Sequence, residues 1–245
     1  MSSASPSEEP VPTFGVEWDR PIPATWGLVV VLVAIHFLGA WHEYAAGLSG
    51  FWEGAIFERD TRFRVAVGGQ HANLVAYGEV WRLWTSVLLH IDLLHLFLNS
   101  VALLSLGRIL EPWIGSMRWL SWFILGGLGG SLASQFGGVI QSDGASGGAF
   151  ALLGASAMIG LKVRGRLDKR EATLMGPVIW GFLLLNLILP VFLPFIDSLG
   201  HIGGLAMGLF VGGFIGLHDA PALRAFDGVL VFLFTGACGV GWYLA

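Results

Sequence analysis

Charge is scarce in this chain. Only 12% of its 245 residues are Asp, Glu, Lys or Arg, while 55% are hydrophobic. A water-soluble domain usually carries about 25% charged residues, so few charges exclude an ordinary soluble surface and point to an integral membrane protein. Cysteine is nearly absent: Cys238 stands alone, which excludes an internal disulfide and any cysteine-built zinc site. Basic excess is absent too. The net charge of −4 offers no patch for nucleic acid. No stretch alternates apolar and polar residues as strands do. That argues against a serine esterase on an α/β sheet, which needs a strand before its nucleophile. No tandem or inverted repeat is visible, so the pattern expected of many small-solute transporters is missing. The N-terminal stretch lacks the basic segment and small-residue cleavage site of a secretory signal.

What the chain has is a series of apolar runs. Residues 1–24 are rich in Ser, Pro and Glu and read as a disordered tail. Seven runs follow, at about 25–45, 84–107, 113–137, 146–162, 173–194, 199–217 and 227–245. Most approach the ~20 residues that span a bilayer, and in lipid such segments must be helices because backbone groups have to pair internally. The expected fold is an all-α polytopic membrane protein: six core helices over 25–217, then a linker and a seventh helix over 218–245. Residues 46–80 mix Phe51, Trp52, Phe57 and Phe63 with charges and read as a loop lying in the membrane interface. Basic residues set the orientation. Nine of them, from Arg20 through the cluster Lys162–Arg170 to Arg224, fall on one side; Arg59, Arg62, Arg64 and Arg82 fall on the other. The N-terminus is therefore expected to be cytoplasmic and the C-terminus outside.

Candidate chemistry collects at the outer side. Gly144-Ala145-Ser146-Gly147 opens the fourth run. A Gly-x-Ser-Gly is expected by chance about 0.3 times in a chain of this composition, and a second copy occurs at Gly47-Leu48-Ser49-Gly50, so context must decide. Ser49 follows the end of the first run, where its glycines read as a helix stop. Ser146 instead starts a helix, and His201 starts another. The spacing Ser146 to Lys162 equals that from His201 to Leu217, 16 residues each, which puts both at ~24 Å from the inner boundary. His201 is the candidate base for Ser146. His95 and Asn99 share a helix face at i and i+4. With the Ser146 backbone N–H they are candidate donors to an oxyanion. His90 is placed on the same second helix with a structural role. A metal site of His90, His95 and His201 lacks a carboxylate or cysteine and has poor spacing, so no metal or cofactor is expected. Asp197 suits the start of the sixth helix better than a triad. Arg82, beside Trp81, reads as an interfacial anchor that also pins the long first loop. Gly200, Gly204, Gly208, Gly212 and Gly216 repeat every four residues down the sixth run, as do Gly147, Ala151 and Ala155 on the fourth. Such stripes permit close helix packing; if they face each other, they hold Ser146 and His201 together. His36 and His42 find no partner in this reading.

The motifs Trp81-Arg82, His90…His95…Asn99, Gly144-Ala145-Ser146-Gly147 and Gly200-His201-Ile202-Gly203-Gly204 with Gly208 resemble those of the rhomboid intramembrane serine proteases. The resemblance covers about 75–217 and implies a Ser146/His201 dyad and an oxyanion site of His95, Asn99 and the Ser146 backbone. It implies cofactor-free cleavage of single-pass transmembrane proteins within the lipid bilayer, near its outer face. The extra helix resembles the six-plus-one variant, and a bacterial inner membrane is the expected location. Two positions depart from the pattern. Phe150 stands where a tyrosine is common over the catalytic histidine, and Gly200 where alanine is common. A catalytically silent rhomboid-like binding or chaperone module is the alternative, and it would be expected to lack Ser146 or His201; both are present.

Overall fold

The computed structural model describes residues 19–192, 196–213 and 221–244; most of the N-terminal tail and residues 214–220, with Gly216 and Leu217, lie outside them. The described chain runs α1 (Pro23–Ala45), α2 (Phe51–Ile56), α3 (Thr61–Ala66), β1 (Gln70–His71), α4 (Ala72–Ala76), α5 (Arg82–Thr85), α6 (Leu93–Ile114), α7 (Ser116–Phe136), β2 (Gln141–Ser142), α8 (Ser146–Lys162), α9 (Lys169–Thr173), α10 (Ile179–Phe192), α11 (Ser198–Gly213) and α12 (Pro221–Leu244). Among the described residues three helices are long and apolar enough to cross a membrane: Pro23–Ala45, Leu93–Ile114 and Arg224–Leu244. The helices opened by Ser146 and containing His201 are apolar but shorter.

α8 is the centre of the bundle. Nearly every side chain from Gly147 to Gly160 is buried, and α7 and α11 flank it. The two small-residue stripes face each other. A Cβ placed on Gly204 would run into the carbonyl of Gly147, one on Gly208 into that of Ala151, and one on Gly212 would lie 2.9 Å from the Ala155 Cα. Only glycine permits this backbone-to-backbone approach. On the other side of α8, a Cβ on Gly148 would meet the Phe123 ring of α7. The fifth run is broken. α9 passes through a turn of π-helix, Leu174–Val178, in which Gly176 leaves helical geometry (φ −99°, ψ −111°) beside Pro177, before α10 begins.

The second helix departs from its expected bounds at both ends. The apolar stretch 84–89 belongs to α5 and a short 3₁₀ turn, Ser86–Leu88, and α6 starts only at Leu93. Asp92 caps it, accepting the His95 N–H at 2.6 Å. At the far end α6 continues past Arg108 to Ile114, taking Trp113 from the third run, and Gly115 (φ +82°) makes the break. The charge responsible is Glu111, 2% exposed. Its carboxylate accepts the N–H groups of Ala24 and Thr25, each at 2.9 Å, and the hydroxyls of Thr25 and Ser116, each at 2.6 Å. A buried side chain of α6 thus satisfies the free amides at the start of α1, where Pro23 occupies the first turn. Glu111→Ala is expected to destabilise the protein by about 3 kcal/mol by stranding these donors. Glu111→Gln, which keeps one acceptor oxygen, should recover part of the loss in a detergent-based thermal melt.

The loop between α1 and α6 is anchored from several directions. Arg59, 4% exposed, donates to the carbonyls of Gly54 (2.9 Å) and His36, and lies 3.6 Å from Glu43. His36 contacts the Ala55 carbonyl at 2.8 Å, which supplies the partner its sequence position did not reveal. α12 packs on α7 and α5; Arg118 and Asp227 form a buried ion pair at 3.2 Å, and Gly241 lies against Trp81 and Thr85.

Candidate active site

Ser146 is the first residue of α8. The N–H groups of the first helical turn have no intrahelical acceptor and point outward from the helix start. Gly144, two residues earlier, has φ +134°, which other residues rarely adopt. Its amide donates to the Ser86 carbonyl at 3.0 Å. A Cβ there would come within 2.7 Å of His95 Cε1 and 3.0 Å of Nε2. The His95 ring therefore rests directly on the loop that delivers Ser146.

His201 lies in the first turn of α11. Phe150, one turn along α8 from Ser146, stacks on its ring with centroids 4.1 Å apart and planes 15° from parallel. Gly204 against Gly147 fixes the same pair of helices from below. The ring thus lies against Phe150, one turn on from Ser146, and Phe150 supplies the stacking face without a hydroxyl. His201 Nδ1 is buried with no hydrogen-bond partner among the described residues. The Asp197 carboxylate bonds elsewhere, to Ser142, Ser134 and the Gly200 N–H.

Asn99 is buried on α6, with Nδ2 donating to the His95 carbonyl at 3.0 Å. One of its two amide hydrogens serves that bond, and the other has no partner among the described residues. His90 is not on the helix of His95 as expected. It lies in the loop before α6, because Asp92 delays the helix to Leu93. It is buried, with its ring 5.1 Å from that of His95 at 68°, so it backs His95. No group of three or more metal-ligating side chains occurs among the described residues.

Arg82 is buried at 5% exposure instead of reaching for solvent. It donates to the carbonyls of Val65 and Gly69 (3.0 Å), pairs with Glu79 at 2.7 Å, and lies 4.4 Å over the Trp81 ring. It pins the first loop, as one of its two sequence readings had it. That loop reaches the candidate site through contacts that no motif announced. β1 pairs with β2 (Gln70 with Ser142, His71 with Gln141). Arg64 forms an ion pair with Asp143 at 2.7 Å, and Gln70 N and Gln141 Nε2 each donate to the same carboxylate at 3.1 Å. Burial pushes the Asp143 carboxyl up from its ordinary range, while Arg64 and these hydrogen bonds pull it back. Ser49, of the second Gly-x-Ser-Gly, lies near Gly54 and Glu43 within the first loop, and Ser156 of α8 donates to the Leu152 carbonyl of its own helix at 2.8 Å.

Similarity to known proteins identifies the family. A family model described as the Rhomboid domain matches residues 77–218. The Rhomboid protease GluP of Bacillus subtilis is 38% identical over 163 residues, 66% of this chain and 31% of that one. RHOMBOID-like protein 5 of Arabidopsis thaliana is 37% identical over 149 residues, 60% of this chain and 47% of its own. Inactive RHOMBOID-like protein 8 of the same plant is 34% identical over 127 residues, 51% of this chain and 35% of its own. The chain spans between about a third and a half of the length of these relatives. With its apolar helices, the match makes this an integral membrane protein. The matched segment starts before Trp81 and runs past the end of α11, so it takes in His95, Asn99, Ser146, Phe150 and His201, and the chain belongs to the rhomboid family.

Proposed function

We propose that this chain is an intramembrane serine endopeptidase that cuts single-pass membrane proteins near the outer face of the bilayer, with Ser146 as nucleophile and His201 as general base. The observation that supports the reading is the Phe150–His201 stack, which joins the imidazole to the helix that Ser146 opens. The Ser146 hydroxyl attacks the scissile carbonyl carbon and its proton passes to His201. The negative oxygen of the tetrahedral intermediate is received by the Ser146 N–H, His95 and the free amide hydrogen of Asn99. The C–N bond then breaks, His201 returns the proton to the leaving amine, and water repeats the sequence to release the acyl group. Two residues suffice on this account; a third member is not obligatory. The substrate helix must unwind where it is cut, so small or helix-breaking residues there lower the cost. The organisation that goes with this reading is six core helices over 25–217 and a seventh after 218, with the N-terminus cytoplasmic, the C-terminus outside, and a bacterial plasma membrane as host.

The test is labelling of detergent-solubilised protein with a fluorophosphonate. Wild type and Ser49→Ala are expected to label, and Ser146→Ala is expected not to. A folded wild type that stays unlabelled, beside a reactive serine hydrolase control, would replace this reading with a silent substrate-binding module.

A further inference from the structure

Asp197 is a polar group near the dyad for which the proposed chemistry has no use. It lies just before α11, four residues ahead of His201. Its Oδ1 accepts the Gly200 N–H at 2.9 Å, and its Oδ2 accepts the Ser142 hydroxyl at 2.6 Å and also that of Ser134. These three donors belong to different parts of the site. Gly200 immediately precedes His201 on α11. Ser142 is in β2, four residues ahead of Ser146, in the loop that delivers it. Ser134 is fully buried in the last turn of α7. The carboxylate is an acceptor-only group with room for several donors, so a single side chain clasps the histidine helix, the serine loop and the helix behind both.

Resting on the Ser146/His201 reading above, we infer that Asp197 is a positioning residue of the dyad. Through Ser142 and the Gly200 amide it fixes the depth and rotation of the α11 start relative to the loop of Ser146. The glycine stripes hold α8 and α11 together lower down. At the outer end, where α11 begins and the chain before Ser146 is not helical, the clasp does this work. It does not act as a third triad member, since Nδ1 of His201 has no hydrogen-bond partner among the described residues and the carboxylate oxygens are occupied by other donors. Charge-assisted bonds to a carboxylate are among the stronger ones a protein makes. A displacement of about 1 Å between reacting groups can cost roughly 100-fold in rate.

Fluorophosphonate labelling of the full chain in detergent tests this, read as the rate at saturating probe and, separately, the half-saturating concentration. Asp197→Ala is expected to lower the saturating rate about 100-fold and leave the half-saturating concentration within about 2-fold. Ser142→Ala is expected to lower it about 10-fold, the size of one lost charge-assisted bond, and to add little in the Asp197→Ala background. Asp197→Asn keeps an acceptor oxygen for the clasp and should stay within about 10-fold of wild type. Thermal melts run in parallel, because Ser142→Ala and Asp197→Asn are mild enough to fold. Wild-type saturating rates in both mild variants would overturn the clasp, as would rate losses that only follow loss of folded protein. Asp197→Asn as slow as Asp197→Ala would also overturn it, by showing that charge and not geometry matters. An unlabelled wild type is a separate result that removes the dyad itself.

Discussion

His201→Ala is expected to slow acylation of Ser146 by about 10⁴-fold or more while leaving the protein folded. A serine hydroxyl is a poor nucleophile until a base takes its proton, and in the function proposed above that base is His201. Phe150 stacks on its ring from the helix that Ser146 begins, and the approach of Gly204 to Gly147 ties the helix of His201 to the turn containing Ser146. The other histidines have different surroundings. His95 rests on Gly144, before the serine, and His90 packs behind His95. Residues that act as one unit lose activity together, so the Ser146→Ala/His201→Ala protein, like Ser146→Ala alone, should take no label. Single-turnover labelling with a fluorophosphonate, beside a melt to check folding, measures both. A folded His201→Ala protein that labels within about 10-fold of wild type would assign the base elsewhere.

Much of this arrangement was legible in the sequence because helices and their packing leave periodic traces. The small residues of the fourth and sixth runs are spaced by four, and the contacts Gly204–Gly147, Gly208–Ala151 and Gly212–Ala155 are what that spacing produces. The start of α8 at Ser146 and its end at Lys162 follow from glycine punctuation and the basic cluster. What stayed hidden was of two kinds. Hydropathy could not separate Trp84–Leu89 from the helix after it, although Asp92, a favoured cap residue before an apolar run, was a usable signal. Missing it put His90 on the wrong element. Equally, the charges Arg108 and Glu111 looked like the end of a span, whereas Glu111 is buried and caps α1. The second kind is contact between loops far apart in the chain. Arg64 with Asp143, β1 with β2, and Ser142 with Asp197 have no period and no motif. Loops present their polar groups to whatever the tertiary fold brings near, and one sequence does not say what that is.

The largest structural effect is expected at Gly208. A Cβ there would overlap the Ala151 carbonyl oxygen and lie 2.6 Å from its carbon and Cα, all of them backbone atoms in the middle of a buried helix. A flexible side chain could swing away, but a helix backbone cannot, so the substitution must separate α11 from α8. Separation opens the interface over several turns, because Gly204 and Gly212 depend on the same approach. Overpacking of a close-packed core commonly costs about 1–3 kcal/mol, and backbone displacement takes it beyond ~4. Gly208→Leu is therefore expected to lose most folded protein, and Gly208→Ala to melt lower than wild type. The control is Gly181→Leu on α10, where nothing lies within 4 Å of the position of a Cβ; there the new side chain meets open space and should leave the melt near wild type. Tryptophan fluorescence can follow all three, since 11 tryptophans report on the fold. Gly208→Ala also separates packing from catalysis. If the stripe sets the height of His201 over Ser146, even a variant that survives should label more slowly than its folded fraction accounts for. A Gly208→Leu protein that melts with wild type would mean that α8 and α11 do not meet along this line.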